Sequence, residues 1–381
     1  MSWQARLEAL RRVLFGRFLL WTLSLAYGTA VLFRRLLYGA GLLRSRRLAA
    51  KVICIGNLTT GGTGKTPAAI LAAQTLRKRH QAVAILSRGY GRRKRGSEVT
   101  VLLDDAPPPW TECGDEPWMM QHALRGQGVP VLVCADRAKA GEEAITFYHS
   151  RVLVLDDGFQ HFKLRRDLDI VLVNATDPFG GGRLLPLGNL REPLSALKRA
   201  GLVMLTHADR VGEEALSAIR RDIHAVNAEV PVIEAAHRPE FLLDLRTEEK
   251  LKLSHIEGRE VVALSAIADP ASFESQLTAL GAGIAQKWRY PDHHPYSPAE
   301  IRAVEELRRG LPVVTTFKDF TRLPEGWRQA LSGEVLCLGI KLEILKGRGA
   351  WIDALARLAP TASGLPPESP LTGSRPEPES P

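Results

Sequence analysis

Cysteine is scarce: four residues in 381 (Cys54, Cys113, Cys134, Cys337), none in a CxxC pair and none at metal-ligand spacing. That excludes a disulfide-stapled secreted scaffold and a zinc ribbon, and it points to a reducing compartment with ordinary core use of the thiols. Acid is scarce where base is plentiful. Residues 1–50 hold nine arginines, no lysine and one acid, Glu8, so a net +8 of the chain's +9 falls there. A small-x-small cleavage site after the first apolar run is also missing, which argues against a cleaved signal peptide. The run itself, FLLWTLSLAYGTAVLF between Arg17 and Arg34, has 16 uncharged residues, just short of the usual spanning length of about 17–25. Arginines near its ends can snorkel and extend its reach, and their presence on both flanks leaves orientation open. A membrane-associated helix, spanning or embedded in one leaflet, is the expectation, and it makes nucleic acid the weaker explanation for the arginines.

What is present is an α/β rhythm built on KVICIGNLTTGGTGKTP, residues 51–67. Val52–Ile55 reads as a buried strand, a Gly/Thr-rich turn follows, and Pro67 opens a helix in its first turn. Thr59, Thr60, Gly61, Gly62, Thr63, Gly64, Lys65 and Thr66 form the candidate nucleotide cradle. Glycines let the backbone wrap an anion, the amides and helix N-terminus face the phosphates, Lys65 adds charge, and the Thr66 hydroxyl suits Mg²⁺. One feature of a strict P-loop is missing, because the position six before the lysine is Thr59 and not glycine.

Ala82–Leu86 reads as a second strand, running into SRGYGRRKRG. Its Arg88, Tyr90 and Arg92, with Arg93, Lys94 and Arg95, lie where an open α/β sheet binds ligands and suit an anionic substrate. CGDEP (113–117) precedes a helix, where Asp115 reads most simply as a cap. After the strand Pro130–Cys134, RVLVLDDGFQH (151–161) is a second strong signal: an apolar strand ending in Asp156-Asp157 matches the Mg²⁺-side carboxylates of phosphate-transferring folds. Strands at Asp169–Asn174 and Ala200–Leu205 flank the glycine- and proline-rich loop 181–193. From Val230 the rhythm restarts, with short antiparallel segments at Val230–Ala235 and Phe241–Leu253. Strands at Val261–Ser265, Val313–Thr316 and Val335–Ile340, and a helix at Pro270–Leu280, follow. The expected division is a membrane-associated segment 1–48, a P-loop domain 49–228 with a mostly parallel sheet, a smaller α/β domain 229–359, and a tail 360–381 too poor in apolar residues to fold.

In order, GNLTTGGTGKTP, SRGYGR, GDEP, LDDGFQH, LLPLGNLREP, a DHH loop (292–294) and TTFKD (315–319) resemble the tetraacyldisaccharide 4'-kinase family over roughly residues 10–355. That family's own phosphate loop carries the Thr59 departure. The resemblance implies transfer of the ATP γ-phosphate to the 4'-hydroxyl of a tetraacylated glucosamine disaccharide 1-phosphate, giving the bis-phosphorylated lipid A precursor of Gram-negative bacteria. It implies ATP and Mg²⁺, with Thr66, Asp156, Asp157, Gln160 and Glu192 as the metal environment. It turns Asp115 from a cap into the base for the sugar hydroxyl, paired with His293, has Lys65 cradle the β- and γ-phosphates, and puts Arg88, Tyr90, Arg92 and Arg191 on the substrate side. The implied place is the inner membrane with the body on the cytoplasmic side, a lipid substrate, and neither nucleic acid nor an obligate protein partner. Phe317 departs from a more usual polar or acidic residue, and Lys318-Asp319 carry no assigned role. The competing class is a membrane-associated P-loop ATPase or switch that modifies no lipid.

Overall fold

The apolar runs read as strands all enter one thirteen-stranded sheet. The structure is a computed structural model describing residues 14–89, 92, 98–103, 108–267, 269–292 and 294–358. Tyr90, His293 and the expected tail therefore lie outside the described residues. A helix, α1 (Leu14–Gly39), leads into β1 (Lys51–Asn57), α2 (Lys65–Arg77), β2 (Val83–Ser87) and β3 (Thr100–Leu102). Then come α3 (Asp115–Leu124), β4 (Val131–Val133), α4 (Arg137–Tyr148), β5 (Val152–Asp156), β6 (Leu168–Asn174), β7 (Leu202–Thr206) and α5 (Glu213–Val226). The second half runs β8 (Val232–Asp244), β9 (Lys250–Leu251), β10 (Glu260–Ser265), α6 (Pro270–Ala279), β11 (Gly283–Arg289), α7 (Pro298–Leu307), β12 (Val313–Thr316), β13 (Val335–Lys346) and α8 (Arg348–Ala356).

Strand order is β11-β10-β12-β13-β8-β7-β6-β1-β5-β2-β4-β3. Antiparallel pairs occur at β3–β4, β8–β9 and β8–β13, and the remaining pairs are parallel. The central strands are apolar on both faces because helices cover both, as a parallel sheet requires. Beneath β1 the helix α2 presents Ala68, Ala69, Ala72, Ala73 and Leu76, all buried, and these small side chains let it lie close to the sheet.

One expectation changes shape. Residues 232–244 form a single 13-residue strand where two short segments were expected, and β13 continues six residues past Ile340 to pair with it. The N-terminal part of β8 pairs parallel with β7, where Leu205 faces Glu234, and the rest projects beyond that sheet edge. There it carries β13 antiparallel, with Leu338 opposite Leu242, and β12 runs parallel to β13, with Thr316 opposite Leu338. The second half is thus displaced along β8 and reversed. Its strand ends at Ser265 and Thr316 point back at the strand ends of the first half across a crevice. The closing helix α8 returns to the first half, where the Trp351 indole donates to Thr75 at 3.1 Å.

Candidate active site

The crevice is floored by the loop that joins β1 to α2. Gly64 sits in the left-handed region, φ 81°, and a Cβ there would meet His237 Nε2 at 2.6 Å, so only glycine fits. Thr59, where a strict P-loop has glycine, is buried and bridges Leu190 in antiparallel fashion, while the Thr60 amide donates to the Asn189 carbonyl at 2.8 Å. The 180–190 loop thus buttresses the cradle from outside, and its backbone pairing does work that glycine's freedom does elsewhere. Lys65 Nζ lies 3.5 Å from Asn57 Oδ1 and 3.7 Å from Asp157 Oδ1.

The acids at the end of β5 divide into two roles. Asp156 is buried; one oxygen meets the Ser87 hydroxyl at 3.5 Å and the other has no partner among the described residues. Burial, then the charges of Glu116 and Asp157, push its carboxyl well above the usual range. A crowded, under-bonded buried carboxyl beside a phosphate loop is what a divalent cation relieves, so these residues fit Mg²⁺. Mg²⁺ takes one or two carboxylates and fills its octahedron with phosphate oxygens and water, and among the described residues no three His, Cys, Asp or Glu side chains cluster for an all-protein cage. Asp157 has φ 47° and takes the Arg191 guanidinium on both oxygens at 3.2 Å. Glu192 accepts three hydrogen bonds: Arg199 donates to both its oxygens at 3.0 Å, and Gln160 donates to it at 3.1 Å and to the Asn57 carbonyl at 3.0 Å.

Asp115 opens α3 one residue later than a cap would. The cap position belongs to Gly114, which makes no side-chain cap bond, and Asp115 Oδ1 accepts from the Glu116 amide at 2.8 Å. The cap reading therefore fails on geometry. Gly89, φ 68°, lies against the Cys113 carbonyl, 2.8 Å from where its Cβ would be, so the Arg88 turn and the Asp115 loop touch. Arg88 is exposed, and Arg92 is half-buried with Nη1 3.5 Å from the Val133 carbonyl. Among neighbours that sequence reasoning passed over, Glu116 has its carboxyl raised by burial and then by Asp115, and Arg137 is buried near Asp156. Glu116 was in plain view in GDEP. Arg137 and Arg199 carried no local signal, since their pairing is long-range. His294 is committed elsewhere: Nε2 meets Glu300 at 3.0 Å and the ring stacks on Tyr290 at 4.8 Å.

The helix α1 grips this same cluster. Ser24 Oγ donates to the Leu184 carbonyl at 3.0 Å, Tyr27 OH to the Arg191 carbonyl at 2.9 Å, and Arg34 to the Gln160 carbonyl at 3.3 Å. Tyr38 stacks on Phe162 at 5.4 Å. The opposite face exposes Phe18, Trp21, Leu25, Phe33 and Leu36.

Comparison with known proteins gives one answer. Residues 16–358 match the family model described as Tetraacyldisaccharide-1-P 4'-kinase. The chain is 43% identical over 342 residues to a tetraacyldisaccharide 4'-kinase of Elusimicrobium minutum, covering 90% of this chain and 91% of that one. It is 43% identical over 333 residues to the protein of the same name from Anaeromyxobacter dehalogenans, covering 87% of each. The crystal structure of LpxK from Aquifex aeolicus in complex with ATP superposes with a TM-score of 0.70 at 30% identity, covering 90% of this chain and 99% of that one.

Proposed function

The chain belongs to the tetraacyldisaccharide 4'-kinase family, and from that premise we propose how its residues carry out the reaction. It is an ATP-dependent lipid kinase, a phosphotransferase that phosphorylates the 4'-hydroxyl of tetraacyldisaccharide 1-phosphate in lipid A synthesis. The observation that carries the residue-level reading is the meeting of three things in one crevice: the Lys65 loop, the under-bonded Asp156 and the Asp115 loop.

Lys65 and the amides of Gly61–Thr66 hold the β- and γ-phosphates of ATP. Thr66 and Asp156 would hold Mg²⁺, which would supply charge neutralisation for the phosphates. Asp157, tied to Arg191 and close to Lys65, keeps the lysine aimed. Gln160 and Glu192, bonded to each other, to Asn57 and to Arg199, brace the metal side from behind. Asp115 accepts the proton of the sugar hydroxyl, and His293 pairs with it to keep the carboxylate ionised and oriented. The engagement of His294 by Glu300 supports assigning that partnership to His293. Arg88 and Arg92 face the disaccharide and its 1-phosphate.

The membrane reading is a helix lying in one leaflet on the cytoplasmic side of the inner membrane. Bonds from Ser24 to Tyr38 run along the body for about 21 Å at 1.5 Å per residue, so crossing the bilayer would require breaking them. The exposed apolar face meets acyl chains. Near the C-terminal end of α1 lies a cavity of about 410 Å³, lined in part by Arg47, Phe162 and Arg165. Exposed Arg44, Arg47, Lys163 and Arg165 there meet anionic headgroups.

The test is purified protein with ATP, Mg²⁺ and tetraacyldisaccharide 1-phosphate, with the 4'-phosphorylated product read by mass spectrometry. Hydrolysis of ATP with no lipid product would support the switch or ATPase class instead. Undiminished turnover by Asp115→Ala would remove the aspartate from its assigned role.

A further inference from the structure

The TTFKD segment has no part in the reading above, yet it ends at the crevice. Lys318 follows β12, on the reversed half of the sheet, and its Nζ lies 3.2 Å from where a Cβ on Gly62 would sit. The ammonium makes no hydrogen bond or ion pair to any described residue. Its exposed side chain springs from a tightly fixed backbone. Asp319 is fully buried, with Oδ1 accepting from the Ala266 amide at 3.0 Å and Oδ2 from the Thr316 hydroxyl at 2.7 Å. On the other side Phe317 packs on Trp118 and Phe241, and Phe320 lies 4.9 Å from Trp118. That explains the apolar residue in the motif. Trp118 stands one helical turn after Asp115, so the same contact ties this turn to the Asp115 helix.

The two arginines on the metal side are already paired, Arg191 with Asp157 and Arg199 with Glu192, and Lys65 shares its charge with Asp157 at 3.7 Å. A triphosphate entering a crevice that also holds Asp115, Glu116, Asp156 and Asp157 needs further positive charge. We propose that Lys318 is a second phosphate-binding cation of this site, reaching from the far wall of the crevice onto the triphosphate at Gly61–Thr66 and stabilising the charge that develops on the transferred phosphoryl group. This rests on the kinase reading above. In that step the bond between the γ-phosphorus and the ADP oxygen breaks with its electron pair left on ADP. The acceptor oxygen bonds to phosphorus and its proton passes to Asp115. Lys318 exchanges no proton and acts by hydrogen bonding and charge, the role that an arginine finger plays in other phosphate-transferring enzymes.

The test is steady-state kinetics of full-length Lys318→Met and Lys318→Arg with ATP and lipid, beside the affinity of each for a non-hydrolysable ATP analogue. Lys318→Met is expected to lose about 100-fold or more in kcat, with analogue affinity changed far less, and Lys318→Arg to recover much of the rate. A kcat within about twofold of wild type, or a raised KM for ATP at unchanged kcat, overturns the proposal. Thermal unfolding checks the fold; if the methionine variant does not fold, Lys318→Gln takes its place with the same two outcomes. Wild-type protein that turns over no lipid would overturn the kinase reading itself. The contact is then judged on binding of ADP with fluoroaluminate, where equal affinity of wild type and Lys318→Met overturns it.

Discussion

Asp115 and Glu116 are neighbours with unlike surroundings. Asp115 is half-exposed at the helix start, while burial and the Asp115 charge raise the Glu116 carboxyl. With Asp115 as the base, Asp115→Asn should lower kcat about 10²- to 10⁴-fold and leave ATP-analogue affinity near wild type, measured by rapid-quench turnover beside calorimetry. Far from the crevice, Glu305 gives a pH prediction. The Arg308 guanidinium, buried and paired with it at 2.6 Å, holds its carboxyl down to about 2, and Ser332 adds hydrogen bonds. In the unfolded chain a glutamate titrates near ~4.3. The pair's stabilisation is therefore complete above that value and fades as pH falls through about 2. Glu305→Gln should cost about 1–3 kcal/mol at neutral pH, because it strips a buried guanidinium of its carboxylate. The difference from wild type should shrink in acid, as urea unfolding across pH would read.

Among the elements, α1 carries an exposed apolar face on one side and bonds to the crevice loops on the other. The bond from Tyr27 to the Arg191 carbonyl holds the residue whose side chain clasps Asp157. Tyr27→Phe should cost about 0.5–1.5 kcal/mol of stability and lower kcat more than it raises the lipid KM, with vesicle binding kept. A lowered vesicle affinity at unchanged kcat would make Tyr27 a membrane contact alone. The elements most legible in the sequence were those whose signal is local. The strand before GKT, the strand ending in Asp156-Asp157 and the Ala-rich helix after Pro67 all appear where the pattern puts them. Strand β11, IAQKWR, escaped notice because as an edge strand it alternates polar and apolar residues and buries little. The extension of β13 through Lys341 and Glu343 escaped for a related reason: those charges are exposed on a ladder that only the long β8 creates. The Asp115 cap reading failed because cap geometry depends on one residue of offset, which Gly114 takes. The TTFKD motif put Lys318 in view but no role could be read for it from sequence, since its place at the crevice comes from the reversal of half the sheet.

For the whole molecule, charge and apolar surface agree on one face. Exposed Arg44, Arg47, Lys163 and Arg165 continue directly from the apolar side of α1 and from Leu42 and Leu43. Each arginine near an anionic surface contributes about 1 kcal/mol. The double variant Arg47→Glu, Arg165→Glu should therefore bind vesicles rich in anionic lipid at least about tenfold more weakly, and neutral vesicles nearly as wild type does. Flotation at low and high salt would measure both. Equal loss on both vesicle types would mean the patch serves the fold and not the membrane.

The two walls of the crevice are joined by the β8–β13 ladder, whose register slips between Gly339 and Ile340, opposite Phe241 and Pro239. A continuous ladder has no loose joint. Its hydrogen bonds resist a swing, while a two-stranded stretch with a bulge yields most readily in torsion. The distance between Lys318 and Gly62 accordingly follows the winding of this ribbon together with the Phe317 and Phe320 contacts on Trp118 and the return of α8 to Thr75. Substitutions that stiffen the ribbon around Gly339 should slow product release while leaving the bound geometry intact, as stopped-flow release of a fluorescent ADP would measure.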